Sequence, residues 1–237
     1  MDLGISDKVA LVTAASKGLG RGAALALARE GCRVAICART PGTLATTAAE
    51  LGQETLAIPA DVSDPATPER LVEATVERFG RLDILVANAG GPPPSRALEV
   101  RDDVMHGALE ANLLASVRLT QAAVPHMRAA GWGRVVMITS KGVKQPIPNL
   151  AYSNVSRAGL WAWAKTAAQD LIDDGVTVNL VCPGPHDTDR VRELGMQGRL
   201  GDPEDFGRVV AFLCSGSAGF ISGAAVQVDA AGTLGLL

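Results

Sequence analysis

The sequence predicts an α/β protein built on a doubly wound, mostly parallel sheet of seven strands flanked by helices. Short runs of Val, Ile, Leu and Ala alternate with longer segments of helical periodicity almost from end to end. Runs that are apolar at every position are typical of strands buried on both faces. Alternating strands and helices with right-handed crossovers produce a doubly wound sheet. We expect the 237 residues to form one domain, 1–237.

Each strand is predicted from an apolar run and each helix from its period and its ends. Gly31 and Gly80 are expected to end two helices, because glycine readily adopts the left-handed conformation. Thr67 is predicted to be an N-cap, followed by Pro68 in the first turn. The predicted strands are Lys8–Thr13, Arg33–Ala38, Thr55–Pro59, Leu82–Ala87, Arg134–Thr139, Val176–Cys182 and Ala224–Val228. The predicted helices are Leu19–Glu30, Gly42–Leu51, Thr67–Phe79, Glu99–Ala130, Tyr152–Asp173 and Pro203–Leu213.

Composition argues against several classes of partner. The net charge is −3 and no basic run occurs, which argues against nucleic-acid binding. No apolar stretch approaches bilayer length and the first residues lack an apolar signal core, so we expect a cytoplasmic protein without a membrane partner. The four cysteines show neither a CxxC pair nor metal-ligand spacing, so we expect reduced thiols and no metal site.

A glycine-rich turn follows the first predicted strand and opens the first helix. Such a turn brings backbone N–H groups and the helix N-terminus to one point, which attracts a pyrophosphate. Gly18 allows the backbone to approach the phosphates, and Gly20 allows the helix to pack on the sheet. The residues predicted to bind a dinucleotide here are Thr13, Ala15, Ser16, Lys17, Gly18, Leu19 and Gly20.

This turn and four later motifs resemble those of the short-chain dehydrogenase/reductase family over essentially the whole chain. Thr13–Gly20 matches the family's TGxxxGxG motif except at Ala14. The resemblance implies a Rossmann-type fold and a substrate-loop region at 184–200. It also implies that further residues contact the cofactor: Asp61, Val62, Asn88, Ala89, Gly90, Pro183, Gly184 and Thr188.

Charge at the end of the second strand indicates which dinucleotide binds. Sites for NAD place a carboxylate there to hold the ribose 2′-hydroxyl. This chain has Arg39-Thr40 instead, and a guanidinium suits a 2′-phosphate. Lys17 adds a second cation in the same region. The expected cofactor is therefore NADP(H), with Arg39 and Thr40 among its contacts.

The resemblance implies reduction or oxidation of a carbon–oxygen bond through Asn, Ser, Tyr and Lys. Asn112 resembles the family's Asn, and Ser140 resembles the Ser that bonds the substrate oxygen. The family's Tyr donates a proton, and its Lys lowers the pKa of that Tyr, since a free phenol is a poor acid at neutral pH.

The family's YxxxK pair is altered, and two registers remain open. In one, Tyr152 is the family Tyr and Ser156 replaces the Lys. In the other, Ser153 and Arg157 take the two positions, which keeps the family's spacing from Ser140 and is favoured. In this second register Tyr152 is still a candidate acid, provided that its side chain reaches the site from the start of the helix. The candidate catalytic residues are Asn112, Ser140, Tyr152 and Arg157, with Lys141, Lys144 and His186 as alternative proton donors.

These features predict an NADP(H)-dependent reductase of weak or atypical activity, acting on a ketone or 3-oxoacyl thioester. It resembles the 3-oxoacyl-(acyl-carrier-protein) reductase-like subgroup with an imperfect tetrad. The alternatives are a cofactor-binding protein without catalysis and a scaffold that binds no cofactor. The segment after Thr188 is short, which predicts an open site. A homodimer or homotetramer is expected from the resemblance and from the apolar residues Leu160, Trp161, Trp163, Ala164, Ala167 and Leu171.

Overall fold

The computed structural model describes residues 2–52 and 54–235 and contains a seven-stranded parallel sheet. Its spatial order is β3-β2-β1-β4-β5-β6-β7, which confirms the predicted doubly wound sheet. Every adjacent pair of strands is parallel. The strands are β1 Val9–Val12, β2 Arg33–Ala38, β3 Leu56–Pro59, β4 Ile84–Ala87, β5 Gly133–Ile138, β6 Val176–Pro183 and β7 Ala225–Val228.

Helices cover both faces of the sheet. Alternate residues of β1 divide the core, because Val9 and Leu11 pack on one face whereas Ala10 and Val12 pack on the other. Among the described residues, no helix is both long and apolar enough to cross a membrane. The α-helices are α1 Gly18–Arg29, α2 Pro41–Leu51, α3 Thr67–Phe79, α4 Asp102–Leu109, α5 Ala115–Ala130, α6 Ala151–Leu171, α7 Asp189–Glu193 and α8 Pro203–Leu213.

Two glycines allow α1 and α8 to pack unusually close. A Cβ atom on Gly22 would collide with the carbonyl of Pro203, and one on Gly207 would collide with the carbonyl of Gly22. The first helix, which begins at the glycine-rich turn, is therefore fixed against α8 by direct backbone contact.

Three helical predictions are corrected. The single helix predicted over Glu99–Ala130 is divided into α4, a π-helical segment Glu110–Leu114 and α5, and Arg101 before α4 is extended. The N-cap of α3 is Ala66 rather than Thr67, because the carboxylate of Asp64 accepts the Ala66 amide and the chain turns one residue earlier. The short helix α7 is not among the predicted elements.

Candidate functional site

A cavity of about 350 Å³ lies at the carboxyl ends of the central strands. Its walls come from the turns after β1, β2, β4, β5 and β6, together with α6 and α7. Ligands of open parallel sheets bind at this edge, where the strand order reverses. The predicted site residues that line the cavity are Ser16, Lys17, Gly18, Leu19, Arg39, Thr40, Asn88, Ala89, Gly90, Ser140, Arg157, Pro183, Gly184 and Thr188.

Other predicted site residues lie behind or beyond this lining: Thr13, Ala15, Gly20, Asp61, Val62, Asn112 and Tyr152. Thr13 supports the turn from behind, since its hydroxyl donates to the carbonyl of Asn88 at 2.7 Å and accepts the Asn88 amide at 2.8 Å. The amide of Ala15 donates to the carbonyl of Cys37 at 3.0 Å. These bonds fix the glycine-rich turn to β2 and to the end of β4.

The glycine-rich turn fits a dinucleotide pyrophosphate. Gly18 has a φ of +58° and lies on the cavity wall at the start of α1. A Cβ atom on Gly20 would lie 2.6 Å from the carbonyl oxygen of Ala14 and 2.7 Å from Nδ2 of Asn88. Ala14 itself has a φ of +47°, so it adopts the conformation that a glycine would favour at this position.

Two cations lie at the cavity mouth beyond the turn. The Arg39 side chain is 76% exposed, and its Nη1 lies 4.0 Å from Oδ2 of Asp61. Lys17 Nζ contacts Oδ2 of Asp189 at 3.0 Å. Hydrogen bonds from Lys17 and Arg192 lower the pKa of Asp189. Arg39 therefore has an exposed, weakly paired charge at the end of β2 that can bind an anion.

Tyr152 does not reach the cavity, which corrects its prediction as a possible acid. Its side chain is buried, and its hydroxyl accepts a hydrogen bond from the Arg101 amide at 2.8 Å. Because α6 begins at Ala151, Tyr152 is already helical and faces away from its neighbour Ser153. The phenol instead connects α6 to the start of α4.

Ser153 and Arg157 lie on the cavity wall with Ser140. They are four residues apart on α6 and therefore share one helix face. The hydroxyl oxygen of Ser140 accepts the Gly142 amide at 3.1 Å. This arrangement agrees with the register that aligns Ser153 and Arg157 with the family's Tyr and Lys.

The Arg157 guanidinium is buried with few partners. The residue is 7% exposed, and Nη1 donates to the carbonyl of Ile138 at 3.2 Å. Its Nε has no hydrogen-bond partner among the described residues. Burial, and to a lesser extent the charge of Arg190, lowers the pKa of Arg157 to about 10. A buried cation with this environment is a candidate ligand-binding group.

Asn112 lies behind the cavity in the π-helical segment between α4 and α5. It is 4% exposed, and its Oδ1 has no partner in the described part of the chain. π-Helical turns occur frequently at functional sites, since the extra residue re-aims a side chain. A buried amide oxygen without a protein partner is unusual and is consistent with a position close to a functional site.

Residues 184–200, which connect β6 to the start of α8, form a short cover over the cavity. Thr188 caps α7, with its hydroxyl accepting the Val191 amide at 3.4 Å. The guanidinium of Arg190 donates to the carbonyl of Pro92 at 2.5 Å. The cover is tied at its base by a hydrogen bond of 2.9 Å from Asp187 N to the carbonyl of Gly201.

His186 lines the cavity but is held by its surroundings. Its Nδ1 lies 3.0 Å from the carbonyl oxygen of Gly184, which can only accept, so that nitrogen carries the proton. Its ring packs edge-to-face on Phe206 with centroids 5.1 Å apart. These contacts indicate that His186 has a structural role at the base of the cover.

The sequence pattern does not single out every lining residue. Arg190 lies in a short helix that was not predicted, so its position across the cavity is visible only in the structure. Apolar side chains from the cover also line the cavity: Val191, Leu194 and Met196. The alternative candidates Ser153, Lys141 and His186 all lie on the cavity wall.

Within residues 2–52 and 54–235, no group of three or more His, Cys, Asp or Glu side chains could hold a metal ion. The four cysteines are free and buried, and burial raises the pKa of Cys32 to about 12 and that of Cys37 to about 11. The thiols are therefore protonated and poor nucleophiles at neutral pH.

Comparison with known proteins identifies the family. A family model described as enoyl-(acyl carrier protein) reductase matches residues 13–232. The chain belongs to the short-chain dehydrogenase/reductase family of oxidoreductases, which confirms the resemblance seen in the motifs.

Individual relatives cover nearly the whole chain. Dehydrogenase/reductase SDR family member 4 from Sus scrofa is 35% identical over 94% of this chain and 86% of its own. The 3-oxoacyl-(acyl-carrier-protein) reductase of Escherichia coli K12 is 32% identical over 96% of this chain and 98% of its own. The structure of L-sorbose reductase from Gluconobacter frateurii, complexed with NADPH and L-sorbose, is 32% identical with a TM-score of 0.90 and covers 97% of both chains.

Proposed function

We propose that this protein is an NADP(H)-dependent reductase that converts a ketone or 3-oxoacyl group to an alcohol. One observation carries the proposal: a single cavity joins the glycine-rich turn to a cluster of Ser140, Ser153 and Arg157. Relatives that include a 3-oxoacyl reductase and an NADPH-bound sorbose reductase support this reaction class.

The proposed cofactor contacts follow from the residues at the two ends of the cavity. The turn that contains Gly18, at the start of α1, would hold the pyrophosphate, and Arg39 would hold the 2′-phosphate. Arg157 binds the nicotinamide ribose, as its alignment with the family's Lys suggests. NADPH, when bound, supplies a hydride to the carbonyl carbon, and all other steps belong to the protein.

The hydroxyls of Ser140 and Ser153 are proposed to donate hydrogen bonds to the carbonyl oxygen. As the carbon–oxygen π bond breaks, negative charge develops on that oxygen, and the nearby Arg157 cation stabilises it. Arg157 remains charged at neutral pH, because its pKa is about 10, so it stabilises the charge without transferring the proton.

Lys141 is the proposed source of that proton. It lines the cavity next to Ser140, and its Nζ donates to the carbonyl of Gly232 at 3.1 Å. His186 also lines the cavity, but its ring is committed to Gly184 and Phe206. Lys141→Met is expected to lower turnover, whereas Lys144→Met serves as control, since Lys144 lies 5.7 Å from the Trp161 ring centroid and outside the cavity lining.

The proposal is tested by NADPH oxidation against a panel of ketones and 3-oxoacyl thioesters, with NADPH binding measured in the same sample. Ser140→Ala is expected to lower kcat by about 100-fold, the usual loss for one oxyanion donor. The exposed Ser217→Ala variant should retain wild-type turnover. A loss below about threefold for Ser140→Ala would contradict the assigned role.

A second candidate function is NADP(H) binding without turnover. It is favoured by the position of Tyr152, which is the chain's single tyrosine and lies outside the cavity. This candidate predicts tight NADPH binding, no oxidation with any member of the panel, and no effect of Lys141→Met on binding.

We also propose that the protein assembles as a homodimer or homotetramer in the cytoplasm. Trp161 and Trp163 on α6 remain partly exposed although they contact the core, so each leaves aromatic surface for a partner. Sedimentation at micromolar concentration should give two or four subunit masses, and a single subunit mass would refute the assembly.

A further inference from the structure

The substrate end of the cavity carries an excess of positive charge. Lys141, Arg157 and Arg190 all line it. Among the described lining residues, the one carboxylate is that of Asp189. It is already engaged, because its two oxygens contact Lys17 Nζ and Arg192 Nη2, each at 3.0 Å. No lining carboxylate is therefore left to neutralise the other three cations.

Of these three cations, Arg157 is the most deeply buried. Its guanidinium is buried, donates one hydrogen bond to a backbone carbonyl, and leaves Nε unpartnered. Burial and then the repulsion of Arg190 depress its pKa. Burial is the largest cause, so a bound anion would stabilise the charged form of this guanidinium.

Arg190 extends from α7 across the cavity. Its Nη2 donates to the carbonyl of Pro92, and a Cβ atom on Gly91 would lie 3.0 Å from its Nε. The nearest carboxylate, that of Glu193, is 4.0 Å from Nη1, at the outer limit of an ion pair. The side chain is 35% exposed, so its charge is partly removed from water without a close counter-ion.

The proposed cofactor accounts for the opposite end. Lys17, at the start of α1, and Arg39, at the end of β2, would hold its phosphates. The three cations at the substrate end then require an anion of their own, since guanidinium groups bind carboxylates with strong, directional hydrogen bonds.

We infer that the carbonyl compound bound here is an oxo acid, whose carboxylate is neutralised by Arg190 while its carbonyl faces Ser140, Ser153 and the charge of Arg157. This inference rests on the proposed function and names its substrate class. The carboxylate fixes the substrate beneath the cover, and uncharged ketones of the same size bind weakly.

Binding to the complex with NADP+ tests this class without turnover. Short-chain 2-oxo and 3-oxo acids are titrated calorimetrically beside their primary amides, which keep the carbonyl and the size but lack the charge. At least one acid should bind about tenfold or more tightly than its amide, the minimum expected for a hydrogen bond to a charged group. Arg190→Gln should reduce the binding of that acid to the level of its amide.

Arg192→Gln is the matched control on the same helix, because Arg192 contacts Asp187 and Asp189 on the surface and does not line the cavity. It should retain the preference for the acid. The inference is overturned if no acid binds more tightly than its amide. It is also overturned if Arg190→Gln weakens NADP+ binding but leaves the preference unchanged, since Arg190 would then serve the cofactor.

Failure of the inference and failure of the proposed function give different results. Equal oxidation of NADPH with acids and amides would overturn the oxo-acid class and leave the reductase assignment intact. Acid-selective binding without NADPH oxidation would support the anion site and contradict the reductase assignment.

Discussion

Replacing Arg157 with methionine should stabilise the protein in the absence of ligands. Lowering the guanidinium pKa to about 10 corresponds to about 3 kcal/mol of unfavourable burial free energy. Methionine fills a similar volume without the charge, and substitutions of this kind at buried ionic sites are often stabilising. Loss of the hydrogen bond to Ile138 offsets about 1 kcal/mol. The expected net gain is about 2 kcal/mol, or about 4 °C or more in Tm.

Scanning calorimetry of the wild type and the variant, without and with NADPH, measures both effects. The variant should melt higher alone and gain less from NADPH, because the proposed ribose contact is lost. Arg134→Met is the matched control: Arg134 is also buried, but it donates to the carbonyls of Gly133, Gly175 and Ser215, so its replacement should destabilise. A lower Tm for Arg157→Met would refute the view that this charge is held for a ligand.

Three further substitutions test other parts of the account. Arg39→Asp should weaken NADPH binding much more than NADH binding, measured by fluorescence titration, and equal losses would contradict the assignment of the 2′-phosphate contact. Tyr152→Phe should leave kcat within about twofold while lowering the unfolding free energy by about 1 kcal/mol, the usual value of a lost hydrogen bond, here to Arg101; a large fall in kcat would restore Tyr152 as the acid. Gly207→Ala should destabilise by about 2 kcal/mol or more, measured by urea unfolding, because its methyl group would collide with Gly22; wild-type stability would show that α1 and α8 separate easily.

Much of the fold follows from the sequence because its strands are buried on both faces. The bounds of all seven strands agree with the structure to within two residues. The break in the long helix after Leu109 does not follow from the sequence, because the residues of the π-helical segment suit an ordinary helix equally well. Only the tertiary packing around Asn112 selects the wider turn.

The dinucleotide end of the site follows from the sequence more directly than the catalytic end. A glycine-rich turn has a local geometry that its residues specify, as Gly18 and Gly20 illustrate. Whether Tyr152 or Ser153 faces the cavity depends on where α6 begins, and a shift of one residue changes the face. The position of Arg190 depends on the path that the backbone of the cover takes over the cavity. No periodic sequence pattern predicts that path.

Hydride transfer is followed directly with NADPH deuterated at the transferable position. The purified protein is incubated with this NADPH and the carbonyl panel, and the alcohols are analysed by mass spectrometry. Deuterium is expected on the former carbonyl carbon of a product, at a rate that falls about 100-fold in Ser140→Ala. Tight NADPH binding with no labelled alcohol from any panel member would contradict the reductase assignment.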